Sequence, residues 1–291
     1  MKVGFVNIFG KPNAGKSTLL NTLMGEKLAI VSSKVQTTRH RIKGFLNKEN
    51  EYQIIFSDTP GIIEPKYKLH EKMMKAVKNS LEDADVALLL VDVKESREEA
   101  DKVFSSLRLK VPAIVLVTKT DTVKEGKVEE VKKYFSAMPY CKECIAISSA
   151  TGANLDLLMQ SILRYLTQGE PFYNEEDLTD LPTKFFVGEI VREKIFQLFG
   201  DEIPYHTTVL VNEFKEKETL IKIQADVVVQ RESQKAIILG EGGKMIKKLG
   251  TLAREDIEKF LDQKIFLQLF VKVKNKWRDD EFKLREYGYN S

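Results

Sequence analysis

The chain is poor in cysteine, histidine and tryptophan, with two, three and one among 291 residues. Cys141 and Cys144 form a C-x-x-C without a second pair, and His40, His70 and His206 lie far off in sequence. Four zinc ligands therefore do not assemble locally, and the pair reads as ordinary reduced thiols of a cytoplasmic chain. No run of about 20 apolar residues occurs, which excludes a membrane-spanning helix. A cleavable secretory leader is not expected either, because a phosphate-loop pattern already begins at Gly10. An excess of either charge is also missing. The net charge is +3, and residues 183–291 hold 20 Lys and Arg against 18 Asp and Glu. A polycationic mode of nucleic-acid binding is excluded, so any such site must be a local patch.

What is present is length for roughly two domains and a change of rhythm along the chain. Apolar runs at 3–9, 86–93, 114–118 and 144–148 predict buried strands. Residues 42–57 predict a hairpin turning at NKEN. Helical stretches at 16–25, 68–81, 97–108, 126–136 and 154–166 alternate with them. That alternation predicts an α/β domain with a mixed, mostly parallel sheet over 1–168. The acidic stretch GEPFYNEEDLTDLP, within 169–182, reads as a linker. Residues 183–291 predict an α+β second domain: helix 184–198, strands 207–214 and 220–230, helix 233–239, a glycine turn, helix 243–261 and strand 264–274.

GKPNAGKS fits G-x-x-x-x-G-K-[ST]. Gly10, Lys11, Pro12, Asn13, Ala14 and Gly15 would curl backbone N–H groups around a phosphate. Lys16 supplies positive charge to the β and γ phosphates, and Ser17 a hydroxyl to Mg²⁺. Thr18 opens a helix whose positive end faces the anion. Asp58, Thr59, Pro60 and Gly61 form D-T-P-G at a strand end. The carboxylate is placed to hold Mg²⁺ opposite Ser17, and the Gly61 N–H to meet a γ-phosphate. Thr118, Lys119, Thr120 and Asp121 follow another strand. Asp121 can accept from guanine N1–H and its exocyclic amine, a donor pair adenine lacks, while Lys119 covers the base. Ser148, Ser149 and Ala150 follow the last strand and offer N–H groups to guanine O6.

In this order, each at a strand's C-terminal end, these motifs resemble the signature set of P-loop GTPases. Two positions depart from it: Thr118 stands where asparagine is usual, and Ser148-Ser149-Ala150 replaces S-A-K. Many GTPases orient the attacking water with a glutamine after D-x-x-G, but here that residue is Ile62. In GTPases with G-x-P-N-x-G-K-S and a hydrophobic residue at this point, the asparagine, here Asn13, commonly binds K⁺. The resemblance thus implies a slow, K⁺-stimulated enzyme using GTP, GDP and Mg²⁺. One threonine of QTTR (36–39) is expected on Mg²⁺, Thr38 rather than Thr37. QTTRHRIKG and DTPGIIEPK together resemble the Era family of ribosome-assembly GTPases.

In the second region, IILGEGGKMIKKLG (237–250) places two helices around Gly240, Glu241, Gly242 and Gly243. This resembles the G-x-x-G loop of a KH domain, whose backbone presses on about four nucleotides of single-stranded RNA. Lys244, Lys247 and Lys248 would meet phosphates, and Ile237, Ile238 and Leu239 would underlie bases. The element order resembles a type II KH domain. A second basic cluster, KVKNKWR, adds Lys272 and Lys274 to the RNA surface, with Trp277 read as core. Glu241 is an oddity, since an acid there repels phosphate. The family resemblance implies a monomer that partners the 16S rRNA 3′ end and the 30S subunit. The amphipathic helix 68–81 and the basic patches permit peripheral contact with the inner membrane without requiring it. The rival reading is a GTPase of the same branch whose C-terminal domain serves a non-ribosomal partner.

Overall fold

The computed structural model describes residues 1–289, which form two compact units. The first comprises residues 1–65 and 70–180; the second comprises Lys66–Leu69 and residues 181–289.

In the first unit, β1 (Lys2–Gly10) runs into α1 (Lys16–Met24), followed by β2 (Ile42–Lys48) and β3 (Tyr52–Asp58). Then come α2 (Lys68–Glu82, in this unit from His70), β4 (Val86–Asp92), α3 (Arg97–Ser106), β5 (Ala113–Thr118), α4 (Glu125–Ser136), β6 (Cys141–Ala146), α5 (Leu155–Tyr165) and the short β7 (Thr167–Gln168). The sheet order is β2-β3-β1-β4-β5-β6, with β7 antiparallel to β1. All pairs from β3 to β6 are parallel, and β2 joins β3 as an antiparallel hairpin. β4 and β5 are near-continuous apolar runs because helices cover both faces of a parallel sheet. Strand order reverses around β1, which opens a crevice at its C-terminal end. Phe9, Leu89, Val91, Val115, Val117, Phe104 and Phe135 fill the core beneath α3 and α4.

The second unit runs α6 (Thr183–Leu198), α7 (Ile203–His206), β8 (Thr208–Glu216), β9 (Ile221–Val229), α8 (Glu232–Leu239), α9 (Lys244–Leu261), β10 (Ile265–Val273) and α10 (Glu281–Glu286). Its sheet order is β10-β9-β8, with β10 parallel and β8 antiparallel to β9. Val187, Val191 and Ile195 of α6, Ile223 and Val227 of β9, Ile238 of α8 and Leu249, Ala253 and Ile257 of α9 form one core. Trp277 is wholly buried, and its indole N–H donates to the His206 carbonyl at 2.9 Å, so it is core as expected.

The structure adds detail to the sequence reading at four places. The strand placed at 144–148 begins at Cys141 instead, because a bulge opposite Ala113 and Ile114 accommodates the polar Lys142 and Glu143. The apolar face of α2 carries Met73, Ala76 and Val77, all buried. Packing thus accounts for its amphipathic pattern. No described helix is long and apolar enough to cross a membrane. The stretch 169–182, read as a linker, is anchored along the first unit. Gln53 Oε1 accepts the N–H groups of Phe172 and Tyr173, Tyr173 stacks on Phe45 at 3.9 Å, and Asp180 pairs with Lys43 at 2.8 Å. Finally, α7 and α10 are too short to show a helical period in sequence.

Candidate functional site

The crevice beyond β1 is a cleft of about 330 Å³ lined by Pro12, Asn13, Gly15, Lys16, Ser17 and Thr18, by 30–34 and 36–38, and by Gly61 and Lys119. Lys16 is buried, and its Nζ donates to the carbonyls of Lys11 at 2.8 Å and Gly10 at 3.2 Å. Burial holds its pKa down to about 8 against the pull of Asp58 and Glu95. Lys11 points away and pairs with Glu95 and Glu99 at 2.9 and 2.7 Å, which pins the loop from outside.

Three oxygen-bearing side chains converge at the mouth of this loop. Ser17 Oγ lies 2.5 Å from Asp58 Oδ2 and 2.8 Å from Thr38 Oγ1; Thr38 Oγ1 donates to the same carboxylate oxygen at 3.2 Å. Burial raises the Asp58 pKa, opposed by the Lys16 charge and the two hydroxyls. Its other oxygen, Oδ1, is buried with no hydrogen-bond partner. A buried carboxylate oxygen left over beside two hydroxyls is a donor set that fits a hard divalent cation such as Mg²⁺. Thr37 instead gives its hydroxyl to the Lys34 carbonyl at 2.7 Å, so the geometry sets Thr38 toward the carboxylate and Thr37 away.

The D-T-P-G turn lies directly on the phosphate loop. A Cβ on Gly61 would come within 2.8 Å of the Pro12 nitrogen, so only glycine permits this approach. Ile62 gives its N–H to the Gly10 carbonyl at 3.1 Å and packs its side chain on the core. Thr59 is buried and donates to the Ile8 carbonyl at 2.6 Å, and Pro60 is also buried. Thr59, Pro60 and Ile62 thus shape the turn, with the Thr59 hydroxyl and the Ile62 N–H both engaged by carbonyls of β1. Asn13 has φ 66° and donates its side-chain amide to the Ser33 carbonyl at 2.7 Å. That leaves Oδ1 as the amide's remaining acceptor.

The base-reading loops meet. Ser148 Oγ donates to Asp121 Oδ1 at 2.6 Å, and Thr120 Oγ1 to the Ile147 carbonyl at 3.1 Å. Lys119 reaches back to the Asn13 carbonyl and to Asp92, each at 2.7 Å. Thr118 Oγ1 donates to the Ala14 carbonyl at 2.8 Å, so the threonine that replaces asparagine still ties base loop to phosphate loop. Ser149 and Ala150 lie further out and are partly or fully exposed. Sequence reading missed Ser33 and Lys34, which line the cleft, and Asp92, which pairs with Lys119; no motif marks them.

In the second unit, Gly240, Gly242 and Gly243 have φ of 68°, 58° and 76°. A Cβ on Gly240 would also come within 2.7 Å of Met245. This left-handed turn between α8 and α9 therefore requires glycine. Glu241, Lys244, Lys247 and Lys248 are exposed around it. Ile237 is 50% exposed, whereas Ile238 is 0% exposed and belongs to the core. Of Ile237, Ile238 and Leu239, read as an apolar floor, Ile238 is turned inward by one helical step while Leu239 is half-buried. A different floor appears. A groove of about 380 Å³ runs between α9 and β10, formed by Ile246, Lys247, Gly250, Arg254, Phe266 and Leu269, among others. Gly250 lies in this groove, where a Cβ would meet Leu269 only at 3.9 Å.

Comparison with known proteins agrees with both units. A family described as "50S ribosome-binding GTPase" matches residues 5–119, and a KH domain matches residues 202–278. The chain is 43% identical to GTPase Era of Geotalea daltonii, covering 98% of this chain and 97% of that protein. It is 42% identical to GTPase Era of Caldanaerobacter subterraneus subsp. tengcongensis, covering 99% and 98%. Among solved structures, a single-residue variant of Aquifex aeolicus Era bound to GDP·AlF4⁻ superposes with a TM-score of 0.95 at 41% identity, covering 99% of each chain. Era in complex with MgGDPNP and nucleotides 1506–1542 of 16S ribosomal RNA gives the same values.

Proposed function

Because the chain belongs to the Era family of GTPases, we propose that it binds and hydrolyses GTP in the β1 cleft. We propose further that the nucleotide state governs its grip on single-stranded 16S rRNA near the 3′ end during 30S subunit assembly. The observation that carries this reading is the meeting of Ser17, Thr38 and Asp58 beside an unpartnered Asp58 oxygen.

Ser17, Thr38 and Asp58 would hold Mg²⁺, directly or through water. Bound there, the ion neutralises charge on the β and γ phosphates. Lys16 leaves its loop carbonyls to bind the same phosphates, and the triphosphate restores its full charge. Asp121 accepts the two guanine donors, with Ser148 fixing its carboxylate. Gly61 sits against Pro12 and offers its N–H where a γ-phosphate would end. Loss of that phosphate removes the contact and frees both the D-T-P-G turn and the loop of Thr38, which is the switch. Ile62 supplies no group to orient water, so turnover is slow. Asn13 Oδ1 would be the oxygen that holds K⁺, whose charge would stabilise developing negative charge.

In the second unit the glycine turn and the α9–β10 groove take the RNA, with Lys244, Lys247 and Lys248 at phosphates. The protein acts as a cytoplasmic monomer. The test is GTP turnover in K⁺ and in Na⁺, with and without a 16S 3′-end oligonucleotide, together with RNA affinity in each nucleotide state. Stimulation by K⁺ that disappears in Asn13→Ala supports the cation role. Equal RNA affinity with GTP analogue, with GDP and without nucleotide overturns the switch.

A further inference from the structure

β10 is an edge strand, and its two faces differ in kind. Ile265, Leu267, Leu269, Val271 and Val273 face the helices and join the core. The alternate residues Phe266, Gln268, Phe270 and Lys272 face away from it. Phe266 is 49% exposed and Phe270 44%. Exposing two phenylalanines on one strand costs hydrophobic free energy, and the core does not require it.

The surroundings of the two rings are suited to bases. Four residues of strand separate them by about 13 Å, so each would take its own base. Between them Gln224 Nε2 donates to Gln268 Oε1 at 2.9 Å. That bond leaves the NH2 group of Gln268 free to donate and the carbonyl oxygen of Gln224 free to accept, a pair able to read a base edge. Lys272 lies 6.0 Å from the Phe270 ring centroid, and Lys274 follows, exposed. Of the neighbouring acids, Glu213 is already paired with Lys215 and Lys222, and Asp226 sits across from Phe270 on β9. Aromatic rings interleaved with lysines form the stacking surface that single-stranded nucleic acid uses, whereas an anionic lipid surface has no use for a paired amide reader.

We propose that the outer face of β10 is a second RNA subsite, separate from the glycine turn, on which Phe266 and Phe270 each stack an unpaired base and Lys272 and Lys274 meet the following phosphates. It rests on the RNA reading of this domain. Phe266 also lines the α9–β10 groove, so a strand leaving the groove passes over the sheet edge onto this face.

The test compares RNA oligonucleotides of about five and about twelve nucleotides, the shorter filling the glycine-turn groove only. The longer carries 2-aminopurine beyond the groove segment. The full chain binds the longer RNA more tightly and quenches the probe. Phe270→Ala leaves binding of the short RNA unchanged, weakens the long RNA by roughly tenfold and abolishes the quench. Phe270→Tyr keeps both. Equal binding of long RNA by wild type and Phe270→Ala, with the quench intact, overturns the proposal. So does loss of binding to phosphatidylcholine vesicles containing phosphatidylglycerol with RNA affinity unchanged, which assigns the face to lipid. Failure of wild type to bind either RNA removes the RNA reading itself; short-RNA binding that is lost in Gly242→Asp preserves that reading whatever Phe270→Ala does.

Discussion

The hydroxyl of Thr118 is bonded to the carbonyl of Ala14 across 104 positions of sequence, at 2.8 Å. It lies 3.2 Å from the Val91 carbonyl as well. One buried side chain therefore joins the loop that reads the base to the loop that holds the phosphates. Thr118→Val keeps the shape and removes the donor, leaving buried carbonyls unpaired at a cost of about 1–3 kcal/mol. GTP and GDP affinities are both expected to fall, by roughly ten- to a hundredfold, as measured with a fluorescent nucleotide. Thr118→Asn restores a donor and much of the affinity.

Asp121 is held by Ser148 with one oxygen at 2.6 Å. Asp121→Asn replaces an acceptor by a donor and repels guanine N1–H. GTP affinity is expected to drop by at least about a hundredfold while xanthosine triphosphate binding rises. Competition between the two nucleotides measures it, and unchanged guanine preference would contradict the assignment of this loop.

Lys16 titrates at about 8 in the folded chain against 10.5 as its ordinary value, because burial penalises the ammonium. The unfolded state then holds more protons between those values, so this group makes stability rise with pH from about 8 toward 10.5. Below pH 8 its unfavourable contribution is fully present. Nucleotide binding needs the ammonium, so above pH 8 binding takes up a proton and weakens as pH rises. Calorimetry in buffers of different ionisation enthalpy measures that uptake, and Lys16→Met removes it.

Gly61 approaches the Pro12 backbone so closely that a Cβ would stand 2.8 Å from its nitrogen. Gly61→Ala forces the D-T-P-G turn off the phosphate loop. GDP binding is expected to persist, while GTP turnover falls by about a hundredfold. Single-turnover hydrolysis separates the two effects.

Much of the first unit was legible because its chemistry is local. The phosphate loop, D-T-P-G and T-K-T-D each carry their meaning in a few consecutive residues at a strand end. Apolar runs such as VALLLVD have no alternative to a buried strand. The second unit was less legible. G-E-G-G announced the turn, but the groove floor comes from Ile246 on α9 and Leu269 on β10, which only parallel pairing of β10 with β9 brings together. The misplacement of Ile238 shows the limit. Neighbouring isoleucines are equivalent in composition, and only helix rotation against the core makes one a surface residue.

Residue type and short spacing were enough to establish a nucleoside triphosphate with Mg²⁺ as the ligand to expect, guanine as its base, and a glycine turn with lysines further on. Backbone geometry converts such local patterns into function almost without context. Packing of the whole chain was needed to set Thr38 rather than Thr37 against Asp58, to make Thr118 the bridge between the two nucleotide loops, and to hide the apolar face of α2. The same packing left Phe266 and Phe270 outside. Each of these outcomes depends on which residues distant in sequence come within a few ångströms of one another, and no short stretch of chain carries that information.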